Sequence, residues 1–254
     1  MALYKNEIPI LEYDDAPKAV IMPNRNEGYR FPEYAVFPFL GEVVDRFAAE
    51  NRCPVIGEFV SATKVFPIYQ VRYRDVEICM CQAPVGAAAA AQLLDWLIGC
   101  GVRKIISAGS CGVLVPMDEN SFLIPTEALR DEGTSYHYLP PSRTISADPQ
   151  GVAALERSFR KKGIPYTKCK TWSTDGFFRE TKEMVEYRRE EGCAVVEMEC
   201  SALMACARFR GVKFGQFLYT ADSLSNLDAH EDRGWGSASV EKALLLCLEA
   251  VTEL

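Results

Sequence analysis

Histidine is nearly absent from this chain: His137 and His230 are the two found in 254 residues. The ten cysteines form no Cys-x-x-Cys pair and have no His-rich partner set, so no metal site is expected. Cys79, Cys193, Cys206 and Cys247 sit inside apolar runs and read as buried free thiols of a reducing cytoplasm. Positive charge is also short. Lys and Arg number 28 against 35 Asp and Glu, a net charge of −7, which argues against a nucleic-acid surface. Arg160-Lys161-Lys162 and Arg188-Arg189 are the basic clusters, and they read as solvated helix faces. Long apolar runs are missing as well. Ala83 to Leu94 is the longest; it is Ala-rich, broken by Gln92 and too short to span a bilayer, so no membrane partner is expected. Met1 to Asp15 is polar and acidic, so no secretory signal is expected and the cytoplasm is the expected location. No internal repeat and no linker divides the chain.

A hydrophobic content of 48% is enough for a full core. Strand-like and helix-like segments alternate, which predicts one α/β domain over 1–254 with a central mixed β-sheet flanked by helices. Residues 1–38, with five prolines, are expected to be an extended arm, with a short strand at Ala19 to Met22. Phe39 to Asn51 reads as a helix. Val55 to Val60, Phe66 to Tyr73 and Val76 to Gln82 read as strands. Ala87 to Cys100, Ala147 to Lys162, Glu180 to Glu191, Ser201 to Arg210 and Ser237 to Leu254 read as further helices. Strands are expected at Lys104 to Ser107, Phe122 to Pro125, Tyr166 to Trp172, Ala194 to Val196 and Val212 to Thr220.

Four strand ends carry polar segments, and in open α/β sheets that edge is where ligands bind. The central one is Val196-Glu-Met-Glu199, where an apolar strand hands over to a helix. A carboxylate accepts two hydrogen bonds at once and so suits the vicinal hydroxyls of a sugar, although acids in a helix's first turn also simply favour its dipole. Ala108-Gly-Ser-Cys-Gly112 is expected as a loop whose N–H groups and hydroxyl can hold an oxyanion. Ser173-Thr-Asp-Gly-Phe-Phe178 and Thr220-Ala-Asp222 leave two further strands.

The order of these motifs resembles the nucleoside phosphorylase-I family, which includes uridine phosphorylase, bacterial purine nucleoside phosphorylase and related nucleosidases. The resemblance runs from about Val55 onward. It implies that Glu199 grips the ribose hydroxyls, with Met198 packing under the sugar and Glu197 beside them. It implies phosphate on Gly109 and Ser110, a base stacked on Phe177, and a leaving purine protonated by Asp222 with Arg233 as its partner. Asp131-Glu-Gly-Thr-Ser-x-x-Tyr-x-Pro140 is closer to uridine phosphorylases, so the base stays open between purine and uracil. The family's arginine three residues before the phosphate-loop serine falls on Ser107, its N-terminal Gly-Asp-Pro-x-Arg is not intact, and its early histidine is absent. Arg25 and Arg30 are the candidates for the missing phosphate charge.

The reaction so implied is phosphate-dependent cleavage of the N-glycosidic bond of a nucleoside, with inorganic phosphate as co-substrate and no cofactor. A hydrolytic nucleosidase of the same fold and a non-catalytic nucleoside-binding protein are the rival readings. The family also implies a homo-oligomer, a dimer or a hexamer built from dimers.

Overall fold

The computed structural model describes residues 3, 5–24 and 28–254. Ten strands form one mixed sheet: β1 (Tyr34–Val36), β2 (Val55–Val60), β3 (Val65–Tyr73), β4 (Val76–Met80), β5 (Lys104–Val113), β6 (Phe122–Asp131), β7 (Thr144–Ser146), β8 (Thr167–Thr174), β9 (Cys193–Glu197) and β10 (Lys213–Ser223). The helices are α1 (Val43–Glu50), α2 (Ala87–Gly99), α3 (Pro149–Lys161), α4 (Lys182–Glu190), α5 (Cys200–Phe209) and α6 (Val240–Val251). This is the α/β fold with a mixed central sheet that the alternation of segments predicts.

The strand order is β10-β6-β8-β9-β5-β1-β4-β3-β2, and β10 also pairs with β5. Strands β5, β10, β6, β8 and β9 therefore close on themselves, and β1, β4, β3 and β2 leave that ring as a flange. Closure removes exposed edges from the ring. Leu93, Leu94 and Leu97 of α2 pack with Leu203 and Met204 of α5 in one apolar cluster. Val44 of α1, Leu155 and Phe159 of α3 and Leu244 and Leu248 of α6 lie in a second. Val185 of α4 packs with Trp172 and Val196 in a smaller one.

Strand β5 creates the opening on which the site is built. Its first residues pair with β1 in parallel, ending at Val36 opposite Ile106. Its last residues pair with β9 in antiparallel, Gly112 opposite Val196 and Val113 opposite Val195. Its other edge stays on β10 from Lys104 to Cys111. On the β1 side, Phe39 N donates to Ala108 O at 2.7 Å, and the chain then turns away into α1. Gly109, Ser110 and Cys111 thus lie where β5 changes neighbour, a topological switch point of the kind that accepts ligands.

Three sequence expectations need correction. Gly109-Ser-Cys-Gly112 is strand, not loop. The reason is packing. A Cβ on Gly112 would lie 2.9 Å from Leu224 Cδ1 and 3.2 Å from Asp222 Oδ1, so the glycine admits a neighbouring side chain and does not make a turn. The arm expected over 1–38 ends early, because Tyr34–Val36 is inserted between β4 and β5 as a central strand. Its three residues lie between Pro32 and Pro38, which obscure a strand pattern. The strand expected at Ala19 to Met22 does not form; Val20 and Ile21 lie exposed on the surface with no ladder partner among the described residues. Asp148, in contrast, caps α3 as its side chain implies, accepting from Gln150 N at 2.9 Å.

Candidate active site

A cavity of about 140 Å³ opens at the switch point, lined by Phe39, Gly109, Ser110, Gly112, Val196 to Glu199, Gln216 and Leu218. A larger cavity of about 470 Å³ adjoins it, lined by Phe178, Lys182, Leu224, Asn226, Leu227 and His230 among others. Phe177, Glu180, Asp222 and Trp235 line both and frame the passage between them.

Glu199 occupies the N-cap position of α5, yet its side chain makes no capping bond. The carboxylate turns into the smaller cavity, where Oε1 accepts from Gly86 N at 2.6 Å. Gly86 has φ of +99°, a conformation that side chains disfavour, and this backbone placement holds its amide toward Glu199. The residue is 6% exposed. Burial, reinforced by the nearby Glu197 charge and opposed by the Gly86 and Met198 amides, pushes its pKa up to about 8. Met198 lines the same wall.

Glu197 is differently employed. Its Oε1 accepts from Thr171 Oγ1 at 3.2 Å and Ser173 Oγ at 2.5 Å, and its Oε2 from Glu199 N at 2.7 Å and Cys200 N at 2.6 Å. Four protein donors fill this carboxylate, so it caps the first turn of α5 and ties β8 to β9. Burial still holds its pKa above the usual range, against those four bonds. It shares the cavity wall with Glu199, but its oxygens are already taken.

Asp222 ends β10 at 6% exposure. Its Oδ2 lies 2.8 Å from His230 Nε2. The pairing has a backbone cause. Ser223 N donates to Glu231 O at 2.9 Å and Glu231 N to Ser223 O at 3.1 Å, a β-bridge that folds the segment after β10 back beside the strand end. Arg233, expected as the partner of Asp222, is not there. Its Nη1 donates to Met117 O at 3.0 Å and its Nε is 3.6 Å from Glu231, and it lines neither cavity. The bridge spends the intervening residues on a turn that leaves His230 facing Asp222 and carries Arg233 past it.

Phe177 stands at the passage, half-exposed and edge-to-face with Phe178 at 5.0 Å between centroids. Ser110 offers a hydroxyl with no protein partner among the described residues, and Gly109 lies beside it. Ser107 is fully buried and donates to Phe37 O at 2.7 Å, so it does not reach the cavity. Arg30 is exposed, donates to its neighbour Tyr29 O at 3.0 Å and does not line either cavity. Arg25 lies outside the described residues. The Tyr136-His137-Tyr138 segment, read as uridine-like, also lies away from both cavities: Tyr138 OH donates to Asp95 Oδ2 at 3.2 Å.

Sequence reasoning missed His230, Glu180, Gln216 and Trp235. His230 comes eight residues after Asp222 and is brought back by the bridge alone. Gln216 is 3% exposed, lines the smaller cavity, and its Oε1 has no hydrogen-bond partner among the described residues. It faces inward from the middle of an otherwise apolar strand, and that isolated amide was the available signal. The electrostatic outcome is one-sided. Glu180, Glu197, Glu199 and Asp222 line the smaller cavity, and no Lys, Arg or His does among the described residues.

A family model described as the phosphorylase superfamily matches residues 33–253. The chain belongs to this superfamily. Its curated relatives include proteins named guanosine, uridine and purine nucleoside phosphorylase, which are pentosyltransferases. A guanosine phosphorylase of Halorubrum lacusprofundi is 27% identical over 87% of this chain and 94% of its own length. A uridine phosphorylase of Haemophilus influenzae is 26% identical over 62% of this chain and 69% of its own. Among solved structures, an AMP nucleosidase from Bacteroides thetaiotaomicron aligns with a TM-score of 0.70 at 22% identity, over 87% of this chain and 88% of that one. The fold is thus shared with a protein named a nucleosidase as well as with proteins named phosphorylases. Among the described residues, no helix is long and apolar enough to cross a membrane.

Proposed function

We propose that this superfamily member cleaves the N-glycosidic bond of a purine nucleoside, with inorganic phosphate as co-substrate. The observation that carries the reading is the Asp222–His230 pair, 2.8 Å apart, at the mouth of the cavity that holds Glu199. Glu199 takes the ribose hydroxyls, with Met198 under the ring and Phe177 against the base. The bond from C1′ to the base nitrogen breaks, its electron pair goes to the base, and Asp222 or its imidazole partner supplies a proton to the base. Phosphate, held at Ser110 and Gly109, bonds to C1′ from the opposite face. Glu197 acts as a positioning residue that fixes the backbone of Met198 and Glu199. The relative named guanosine phosphorylase supports a purine.

One observation favours a second reading, hydrolysis. Among the described residues, four carboxyl groups and no Lys, Arg or His line the smaller cavity, which, as those groups ionise, disfavours a dianion and suits a neutral water. Phosphorolysis therefore requires a cation from outside the described residues, from Arg25 or from a second copy of the chain in a cytoplasmic homo-oligomer. Base release from a nucleoside panel, with and without phosphate, tests the proposal. Phosphate-dependent release that falls as the protein is diluted below its association range is the expected result. Equal release without phosphate makes the protein a nucleosidase, and no release from any nucleoside overturns both readings.

A further inference from the structure

Whichever group protonates the departing base has to be refilled after every turnover. In the proposed reaction the nucleophile sheds a proton on one face of the sugar and the base gains one on the other, whether the nucleophile is water or hydrogen phosphate. The two events balance, but the ribose lies between them, so the donor on the base side draws its next proton from solvent. Asp222 is poorly placed to do this alone. Its side chain is 9% exposed, and it frames the passage between the two cavities, which a bound nucleoside would occupy.

Two further groups continue outward from it. His230 Nε2 lies 2.8 Å from Asp222 Oδ2, and the other ring nitrogen, Nδ1, lies 3.5 Å from Asp232 Oδ1. Side-chain exposure rises along this row, from 9% at Asp222 to 45% at His230 and 72% at Asp232. The row has a backbone origin. The bridge between Ser223 and Glu231 holds the returning segment beside the end of β10. Residues two apart in extended chain share a face, so His230 and Asp232 fall on one side, and Glu231 between them lies near Arg233 instead. The imidazole therefore spans from a buried carboxyl group to an exposed one, with a different nitrogen toward each. Imidazole takes up and releases protons near neutral pH, through either nitrogen. The other charged groups lining the larger cavity beside it are Glu180 and Lys182, and Lys182 is engaged by Asp228 at 2.6 Å.

We infer that His230 relays protons from solvent to Asp222, and that Asp232 is the positioning residue that holds the ring by its outer nitrogen. The inference rests on the nucleoside-cleavage reading. As the bond from C1′ to the base breaks, the base nitrogen takes the proton of the Asp222 carboxyl. The ionised Asp222 takes the Nε2 proton of the imidazolium, which becomes neutral imidazole. The half-exposed ring regains a proton from a buffer acid, leaving that acid as its conjugate base. The proton shed by the nucleophile restores the buffer.

Base release from guanosine, inosine and adenosine is measured at fixed pH, ionic strength and phosphate while imidazole is raised, for wild type, His230→Gln and Asp232→Asn. Wild type is expected to be indifferent to imidazole, since its own ring carries the proton. His230→Gln is expected to lose about 10²-fold or more in kcat with little change in KM, and to regain about tenfold as free imidazole takes over the transfer. Asp232→Asn is expected to lose about 2- to 5-fold, the scale of an exposed ion pair, and nothing further in the His230→Gln background. A solvent deuterium isotope effect on kcat should be larger in His230→Gln than in wild type and shrink as imidazole is added. A histidine that only braces the loop gives neither signature, because a small acid in solution does not restore a brace. His230→Gln at the wild-type rate overturns the relay and leaves the cleavage reading standing. So does a slow His230→Gln whose rate is unmoved by imidazole, acetate or formate. A wild type that releases base from none of the three nucleosides refutes the cleavage reading, and the relay with it.

Discussion

Replacing Glu199 by Gln should make the protein more stable and less active, and the gain in stability should depend on pH. The carboxylate is buried against Glu197 and its pKa is raised from 4.5 to about 8. In the unfolded chain it ionises near 4.5. Its contribution to stability is therefore intact below pH 4.5 and is lost as the pH rises through about 8. The linkage between those two values removes about 3–4 kcal/mol between pH 5 and pH 8. Gln keeps an acceptor for the Gly86 amide, which donates to Glu199 at 2.6 Å, and has no charge to desolvate. Urea denaturation of both proteins at pH 5 and pH 8 checks this. Near-equal stability at pH 5 and an advantage of about 3 kcal/mol for the variant at pH 8 are expected. An advantage that does not change with pH refutes the reasoning, because it means that Glu199 ionises normally in the native state. Nucleoside turnover should fall in the same variant, since an amide cannot accept from both sugar hydroxyls.

Asp222→Asn and His230→Gln should each slow base release by about 10²–10⁴-fold with the fold intact by circular dichroism. The double variant should be no worse than the slower single one if the two act as a unit, and multiplicative losses would separate them. Gly86→Ala should destabilise the protein by about 1–3 kcal/mol, because φ of +99° is strained for alanine, and should raise the KM for nucleoside by turning the amide away from Glu199. Glu197→Ala should cost about 3–5 kcal/mol, since it strands four donors, two of them buried backbone amides at the start of α5; a loss below 1 kcal/mol in thermal and urea unfolding would contradict its role as the anchor.

The parts of this molecule that were legible in its sequence are those set by local pattern. Strands such as Val55–Val60 and helices such as Ala87–Gly99 have the apolar periodicity and the glycine and proline punctuation that local physics requires. Glu199 and Asp222 stand directly at strand ends, so an α/β edge argument finds them. What stayed hidden is set by long-range pairing. Tyr34–Val36 is a central strand because β4 and β5 leave a slot for it, and nothing in three residues between prolines announces that. His230 is at the site because of two backbone hydrogen bonds between Ser223 and Glu231. Arg233 is three residues further on and lies on Met117 instead, although as a charge partner for an aspartate it was the more obvious choice. Gly109 to Gly112 misled for a related reason: glycine marks both turns and close approaches, and sequence cannot tell them apart.

The concentration of carboxylates around one small cavity constrains the chemistry more than any single residue does. Breaking a bond between a sugar and a base builds positive charge on the sugar ring and negative charge on the base. In the proposed reaction, Glu199 beside the sugar answers the first when ionised, and a proton from the Asp222–His230 pair answers the second. As they ionise, the same carboxyl groups oppose any anionic nucleophile, and the opposition grows in a site that excludes water. Ser110 and backbone N–H groups alone do not offset it, since bonds from charged donors are about twice as strong as neutral ones. On the proposed reading, the described residues supply groups for departure of the base and no cation for attack by phosphate. A nucleophile that is neutral needs nothing more than this chain. One that is charged needs an arginine that the described residues of a single chain do not place in the cavity, and that requirement ties phosphorolysis to Arg25 or to a neighbouring copy.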